Sequence, residues 1–294
     1  MTQAGKVWTV QEALDWTRGY LERKEDANPL LSARFLVSHA TGLSHLELYT
    51  MFDRPLSLDE RDVLRDAVSR RGHGEPLQYI SGHAPFRHLD IKTRPNVLIP
   101  RPETEVLVDE VLSFLGGMSA SRVIEVGCGS GCIACSLATE MPACDVWATD
   151  ISPDACSLAR ENASDAGLDG IVHIIECDLD SGIPDELRGT FDVLVSNPPY
   201  IPDAVMEVLP DEVRGYEPHL ALAGGADGLD VFRRLLARAD GLVREGGMLA
   251  IELHEGSLDD ACRLAEDAGM ADVRMVRDLA GRPRILTCSR KVRP

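Results

Sequence analysis

The stretch Phe191-Asp192-Val193-Leu194-Val195-Ser196-Asn197-Pro198-Pro199-Tyr200 decides the fold. It begins as a short apolar run rich in β-branched side chains, the pattern of a strand buried on both faces. Two prolines then end it, because proline has no backbone N–H to give to a sheet ladder. At the strand's end stand an amide side chain, carbonyls held in an extended geometry and an aromatic ring. Such a set accepts hydrogen bonds from a planar N–H2 group and covers its flat face. A proline-rich turn capped by asparagine would use the same four residues. Position separates the two readings: in open α/β sheets, ligands bind beyond the carboxyl ends of strands.

Working outward, strands and helices alternate from Arg122 onward. Strands are expected at 122–126, 145–149, 171–176, 191–196 and 248–253, with two more near 273–277 and 284–289. Helices are expected at 130–141, 153–166, 228–243 and 258–268. This alternation predicts an α/β fold, a mostly parallel sheet with helices on both faces.

The region before it, about residues 7–80, reads as all-helical. Thr9/Glu12, Ser44/Glu47 and Ser57/Glu60 are each spaced as a capping box, and Asn28-Pro29 marks a fourth helix start. Val10, Ala13, Leu14, Thr17 and Leu21 share one face of the first helix. Nothing in this region looks catalytic, which suggests docking of a partner. The expected division is therefore residues 1–82 as a helical recognition domain, 83–102 as a β-hairpin linker and 103–294 as the catalytic domain. The hairpin is expected over 86–99 with Pro95-Asn96 as its turn. A helix opens after Pro100-Arg101-Pro102-Glu103, where two prolines hold a charged Arg101 and Glu103 and Glu105 suit the helix dipole.

Glu125-Val126-Gly127-Cys128-Gly129-Ser130-Gly131 closes a strand and opens a helix, and its glycines allow close approach of a ligand. A dinucleotide fold would want glycine at 132, where this chain has Cys132. Asp150 ends the next strand and is placed to accept from a ribose diol. Asp178 ends the third, placed for an adenine amino group, with Leu179 to cover the ring.

Composition excludes several classes. The 294 residues carry a net charge of −18, which counts against a nucleic-acid substrate. No apolar run is long enough for a membrane span, and Met1–Lys6 lacks the apolar core of a signal peptide, so the cytoplasm is expected. Cys128, Cys132 and Cys135 match a spacing used for iron–sulfur clusters. Two of them, however, fall within a helix among small residues, where cysteine packs as a compact hydrophobe. The eight histidines show no zinc spacing, so no metal is expected.

With these motifs in place, the chain resembles the bacterial peptide-chain release factor glutamine methyltransferases. The resemblance rests on Glu75–Ile80, Val97–Glu105, Ser130–Ala134, Val195–Ile201, Glu217–Leu222, Gly224–Leu229 and Asp278–Gly281 with Arg284. It implies a Rossmann-like class I methyltransferase sheet preceded by a small all-helical domain and a hairpin linker. It also implies S-adenosyl-L-methionine as methyl donor and the glutamine of the Gly-Gly-Gln loop in class I release factors as acceptor. Carried onto this chain, Glu125, Gly127, Gly129, Gly131, Asp150, Ile151, Asp178, Leu179 and Asn197 would meet the cofactor. Arg101, Glu103, Pro198, Pro199 and Tyr200 would meet the substrate. Asn197, the Pro198 carbonyl and Tyr200 would hold the glutamine amide for methyl transfer.

His254 and Ser257 depart from the family's Gly and Gln after the strand ending at Glu252, and Asn96 stands where glycine is common. These departures leave open a diverged paralogue methylating an amide or amino nitrogen of another protein or a small molecule. A nucleic-acid adenine methyltransferase is disfavoured by the acidity. A non-catalytic binding module is disfavoured by the intact glycine loop, Asp150 and Asn197.

Overall fold

A computed structural model describes residues 7–292; Met1–Lys6, read above for a signal sequence, lie outside the described residues. The chain forms two compact units. One runs to Gly82 and includes Asp211–Tyr216; the other holds His83–Pro210 and everything from Glu217.

The first unit contains helices α1 (Val10–Arg23), α2 (Pro29–Thr41), α3 (His45–Thr50), α4 (Leu58–Arg71) and α5 (Leu77–Ser81). The three capping boxes close at the N-termini of α1, α3 and α4, and Asn28 Oδ1 accepts the Leu31 N–H at α2. Each such cap contributes about 1 kcal/mol. Val10, Ala13 and Leu21 of α1 pack with Leu36, Val37, Leu48, Leu64, Val68 and Ile80. The helix Asp211–Tyr216 joins this unit through Glu212, 2.9 Å from the Arg71 guanidinium, and through the Tyr216 hydroxyl, which donates to the His73 carbonyl at 2.9 Å.

The second unit opens with a hairpin of β1 (His83–Phe86) and β2 (Leu89–Lys92). Its turn is Arg87-His88, not the expected Pro95-Asn96. The reason is local: Pro95 and Pro100 cannot donate to a ladder, so residues 93–100 carry no strand. Arg87 takes a left-handed conformation (φ 52°), held by its guanidinium on Glu140 and Asp109. No glycine or asparagine at the turn announces it.

The remaining elements are α6 (Thr104–Leu115), β3 (Ser121–Val126), α7 (Cys132–Glu140), β4 (Cys144–Asp150), α8 (Pro153–Asp165), β5 (Val172–Glu176) and β6 (Phe191–Ser196). Short helices α9 (Asp203–Met206), α10 (Asp211–Tyr216) and α11 (His219–Leu222) follow, then α12 (Asp230–Leu242), β7 (Val243–Glu252), α13 (Leu258–Asp267), β8 (Ala271–Arg277) and β9 (Pro283–Ser289). The sheet runs in the order β5-β4-β3-β6-β7-β9-β8, with β9 antiparallel to both its neighbours and the other strand pairs parallel.

Alternation along the central strands feeds two cores. Val123, Val193 and Val195 face one with α6 and α7, while Ile124, Leu194 and Ile251 face the other with α12 and α13. Phe191, Phe232 and Ile124 are fully buried, each contributing about 1.5–3 kcal/mol. From β3 the chain proceeds to β4 and β5 on one side, and β6 returns to the other. The crevice at the carboxyl ends of β3 and β6 is thus the switch point where such sheets bind ligands. The Ser196 hydroxyl donates to the Val126 carbonyl at 2.6 Å and holds these two strand ends together. Among the described residues, no helix is long and apolar enough to cross a membrane.

Candidate active site

A cavity opens at this switch point, lined on one side by Gly127, Gly129, Asp150, Ile151, Asp178 and Leu179 and on the other by Asn197, Pro198 and Pro199. It continues past Asn197 into a smaller recess bounded by Arg101, Thr104, Glu125 and Cys128. The structure thus gathers most of the residues singled out in the sequence. Gly131, Glu103 and Tyr200 are not among the lining residues.

The glycine loop shows why three glycines are there. Gly127 and Gly129 have φ of 77° and 55°, and a Cβ on either would project into open space. These two keep the cleft clear for a ligand. Gly131 serves packing instead: its Cβ would lie 3.0 Å from the Ala159 Cβ on α8. The loop is fastened by the Gly127 and Cys128 N–H groups, which donate to the Thr149 carbonyl at 2.8 and 2.9 Å.

Asp150 accepts the Gly129 N–H at 2.9 Å on Oδ2 and the Ser152 N–H at 2.8 Å on Oδ1. Each oxygen keeps acceptor capacity for a diol. Burial raises its pKa, against the pull of these backbone donors. Glu125 is buried at the start of the loop; its Oε2 accepts the Ala134 N–H at 2.9 Å, while Oε1 has no partner. Burial pushes this carboxyl well above its ordinary range. An orphaned acceptor beside the cleft fits a cationic or hydroxyl-bearing ligand. Asp178 is already engaged, since both its oxygens accept from Arg234 Nη2 at 2.8 and 2.7 Å. Leu179 takes a left-handed φ of 51°, and Ile151 is exposed at the rim.

On the other wall, Asn197 Nδ2 donates to the Thr104 hydroxyl at 3.2 Å. Tyr200 donates its hydroxyl to Glu252 Oε1 at 3.0 Å. Burial, then the Glu252 charge, push the phenol's pKa up. Arg101 pairs with Glu217, whose other oxygen accepts the Ile99 N–H at 3.4 Å. This answers why a charged residue sits between two prolines: its partner is a buried carboxylate. Glu103 is exposed at the N-cap of α6.

Several residues that build the site have no signature of their own. Gly224 and Gly228 let their loop lie on the Tyr200 backbone, where added Cβ atoms would come within 2.7 Å of Tyr200 Cα and 2.4 Å of its carbonyl oxygen. Thr104, Glu252 and Arg234 were likewise silent. The signal available was the three glycines of Gly224-Gly225-Ala226-Asp227-Gly228, which do mark close backbone approach. The departures have local roles. His254 Nδ1 accepts the Gly256 N–H at 3.1 Å, and the Ser257 hydroxyl donates to the Asp227 carbonyl at 2.8 Å. Asn96 takes φ 71°, which asparagine tolerates, and donates to Asp154 at 3.2 Å.

Cys128, Cys132 and Cys135 are buried, and burial pushes the Cys135 thiol up to about 12, a value at which it stays protonated. Among the described residues, no cluster of three or more His, Cys, Asp or Glu could hold a metal ion.

Comparison with known proteins agrees with this architecture. Residues 12–82 match the model described as PrmC N-terminal domain, and residues 102–209 the Methyltransferase small domain. Among solved structures, the chain superposes on the hMettl16 catalytic domain in complex with MAT2A 3'UTR hairpin 6 with a TM-score of 0.57. That match has 16% identity and covers 80% of this chain and 82% of that one. A methyltransferase from Pyrococcus furiosus gives a TM-score of 0.50 at 21% identity, covering 70% and 91%. Both are likenesses of fold, an α/β sheet flanked by helices. The release factor glutamine methyltransferase of Geobacter sulfurreducens is 41% identical over 286 residues, covering 97% of this chain and 98% of its own. That of Moorella thermoacetica is 42% identical over 265 residues, covering 90% and 92%. At this identity and coverage, the chain belongs to the release factor glutamine methyltransferase family.

Proposed function

We propose that this enzyme transfers a methyl group from S-adenosyl-L-methionine to the side-chain amide nitrogen of the Gly-Gly-Gln glutamine in class I peptide-chain release factors, in the cytoplasm. The observation that carries the reading is the setting of Asn197. Its N–H2 end is tied to Thr104, which leaves Oδ1 available to accept, and Asn197 and Pro198 both line the cleft. Two acceptor oxygens there would suit the two N–H groups of a primary carboxamide.

An amide nitrogen is a poor nucleophile because its lone pair is delocalised into the carbonyl. When Oδ1 of Asn197 and the Pro198 carbonyl accept from both N–H groups, density returns to nitrogen and the group is aimed. The bound cofactor supplies an electrophilic methyl carbon. As positive charge grows on the attacking nitrogen, the same two acceptors bind more strongly, so they favour the transition state over the ground state. Alignment of the nitrogen with the methyl carbon contributes the rest. No carboxylate is needed as an obligatory base, since the nitrogen becomes acidic only as the new bond forms. Glu125, Gly127, Gly129, Asp150, Ile151, Asp178 and Leu179 would hold the cofactor. Arg101, set by Glu217, would face the substrate.

The test is incubation with isotope-labelled cofactor and intact release factors, followed by mass-spectrometric mapping. Label on the Gly-Gly-Gln glutamine is expected. Label on another nitrogen, or none on any release factor, would overturn the assignment.

A further inference from the structure

Residues 93–98 carry neither helix nor strand, yet Asn96, Val97 and Leu98 line the same cavity as Gly127, Gly129 and Asp150. A segment without a ladder of its own is held by whatever else partners its backbone and packs on its side chains. Here those partners come from α8.

The main one is Asn162, 4% exposed. Its Oδ1 accepts the Lys92 N–H at 2.9 Å and its Nδ2 donates to the Lys92 carbonyl at 3.2 Å, so the amide grips the last residue of β2 by both backbone groups. Nδ2 also donates to the Ser130 carbonyl at 2.9 Å, between two glycines of the glycine loop. A side-chain amide has one oxygen and two N–H groups, and all three are engaged. Ala159, three residues earlier and on the same face of α8, is the contact that requires glycine at 131. One helix face therefore fixes the loop at Ser130 and Gly131 and the root of residues 93–98 at Lys92.

Further along, Val97 is buried and packs with Ala155 and Leu158 of α8. Polar contacts surround this one: Lys92 Nζ lies 2.6 Å from Glu161 and 2.7 Å from Asp165, Arg94 lies 3.3 Å from Glu161, and Asn96 Nδ2 donates to Asp154 at 3.2 Å. The ion pairs are largely exposed, and exposed pairs contribute little. The buried amide matters more, because without it the buried Ser130 carbonyl and both backbone groups of Lys92 lose this partner.

Resting on the reading of this cleft as the S-adenosyl-L-methionine site, we infer that residues 93–98 form a wall of the cofactor cleft and that Asn162 is the positioning residue that sets it. The amide ties the wall's root to the glycine loop, so these two parts of the cavity lining keep one spacing. Asn162 touches neither Asn197 nor Pro198. Its loss falls on cofactor affinity and spares the methyl-transfer step.

The experiment measures binding of S-adenosylhomocysteine by calorimetry to the full-length wild type, Asn162→Asp, Asn162→Ala and Glu161→Gln, each below its melting temperature. Asn162→Asp keeps an oxygen for the Lys92 N–H but has no N–H for either carbonyl. Both Asn162 variants should bind roughly tenfold or more weakly. Glu161→Gln, which removes only exposed ion pairs, should stay within about twofold. On an intact release factor at saturating cofactor, kcat of the Asn162 variants should remain within about threefold of wild type, the split expected of a change confined to cofactor binding. Hydrogen exchange over residues 92–98 of the wild type should slow when S-adenosylhomocysteine is added.

Four results would each overturn the inference: Asn162→Asp binding within about twofold of wild type, a tenfold loss of its kcat at saturation, Glu161→Gln as damaging as Asn162→Asp, or exchange over 92–98 indifferent to the ligand. If neither Asn162 variant folds, the wild-type exchange measurement decides alone. A wild type that binds S-adenosylhomocysteine yet methylates no release factor would sink the functional assignment only, and the binding and exchange data would still decide this inference. A wild type that binds none would take the cofactor reading and this inference with it.

Discussion

Asp150 Oδ2 accepts the backbone N–H of Gly129 at 2.9 Å, so the acid placed for the ribose also holds the glycine loop on which the cofactor would lie. Removing it should act twice, through the lost diol contact and through a loosened loop. Asp150→Ala is expected to weaken S-adenosyl-L-methionine binding by about 1.5–3 kcal/mol, the range for hydrogen bonds to charged groups. Calorimetry with unchanged affinity would take Asp150 out of the site.

Asn197→Ala removes the proposed acceptor and leaves a substrate N–H unpaired. A fall in kcat of roughly 100-fold or more is expected, about 3 kcal/mol, with little change in cofactor affinity. Asn197→Asp keeps an acceptor but loses the donor to Thr104, so it should fall less far. Near-normal turnover in the alanine variant would reduce the tetrapeptide to a turn.

Gly224→Ala tests how the loop seats Tyr200. Its new Cβ would meet Tyr200 Cα at 2.7 Å and Gly228 Cα at 2.8 Å, both backbone atoms with no rotamer to yield. Destabilisation of about 1–3 kcal/mol and loss of kcat are expected, with cofactor binding kept. A variant equal to wild type in melting and in turnover would show that the loop can move aside freely.

Glu125 gives a pH dependence with a definite sign. Its carboxyl titrates well above 4.5 in the folded protein because burial disfavours the charge. Between 4.5 and that raised value the folded state binds more protons than the unfolded one, so stability falls as pH rises through the window. Glu125→Gln keeps an acceptor for the Ala134 N–H and removes this slope. Cofactor-free wild type should therefore lose melting temperature relative to Glu125→Gln as pH rises from 4.5. Parallel curves for the two proteins would contradict the burial argument.

Cys135 is buried in α7 and held as a thiol, so Cys135→Ala should cost about 1 kcal/mol of packing and retain activity. The purified enzyme should be colourless, and iron and sulfide assays after anaerobic preparation should read blank. Stoichiometric iron would reverse the reading of these cysteines.

Local signals in the sequence carried much of the fold. The capping boxes at Thr9, Ser44 and Ser57 each open a helix, because a cap is complete within four residues. The strand 191–196 ends where Asn197-Pro198 says it must. The hairpin was misplaced because its turn depends on Arg87, an arginine kept in a left-handed conformation by carboxylates on α6 and α7. In the site, Gly127, Asp150 and Asn197 were legible because each stands at a strand end. Thr104 and Glu252 were not: they meet Asn197 and Tyr200 only after folding brings together α6, β6 and β7. Nor could spacing tell that Gly131 faces Ala159 while Gly127 and Gly129 face the cleft.

The placement of Asp211–Tyr216 in the helical unit has a consequence for anyone who would recombine this protein. The chain passes between the two units three times, after Gly82, before Asp211 and after Tyr216. The last passage leads directly into Glu217, the partner of Arg101. Cutting at Gly82 would free five helices but strand a hexapeptide whose Glu212 and Tyr216 have their partners on the discarded piece. A chimaera exchanging the helical unit for that of a relative would have to graft two discontinuous segments. The boundary that matters for such an exchange is one of contacts, and a single cut in the gene does not reproduce it.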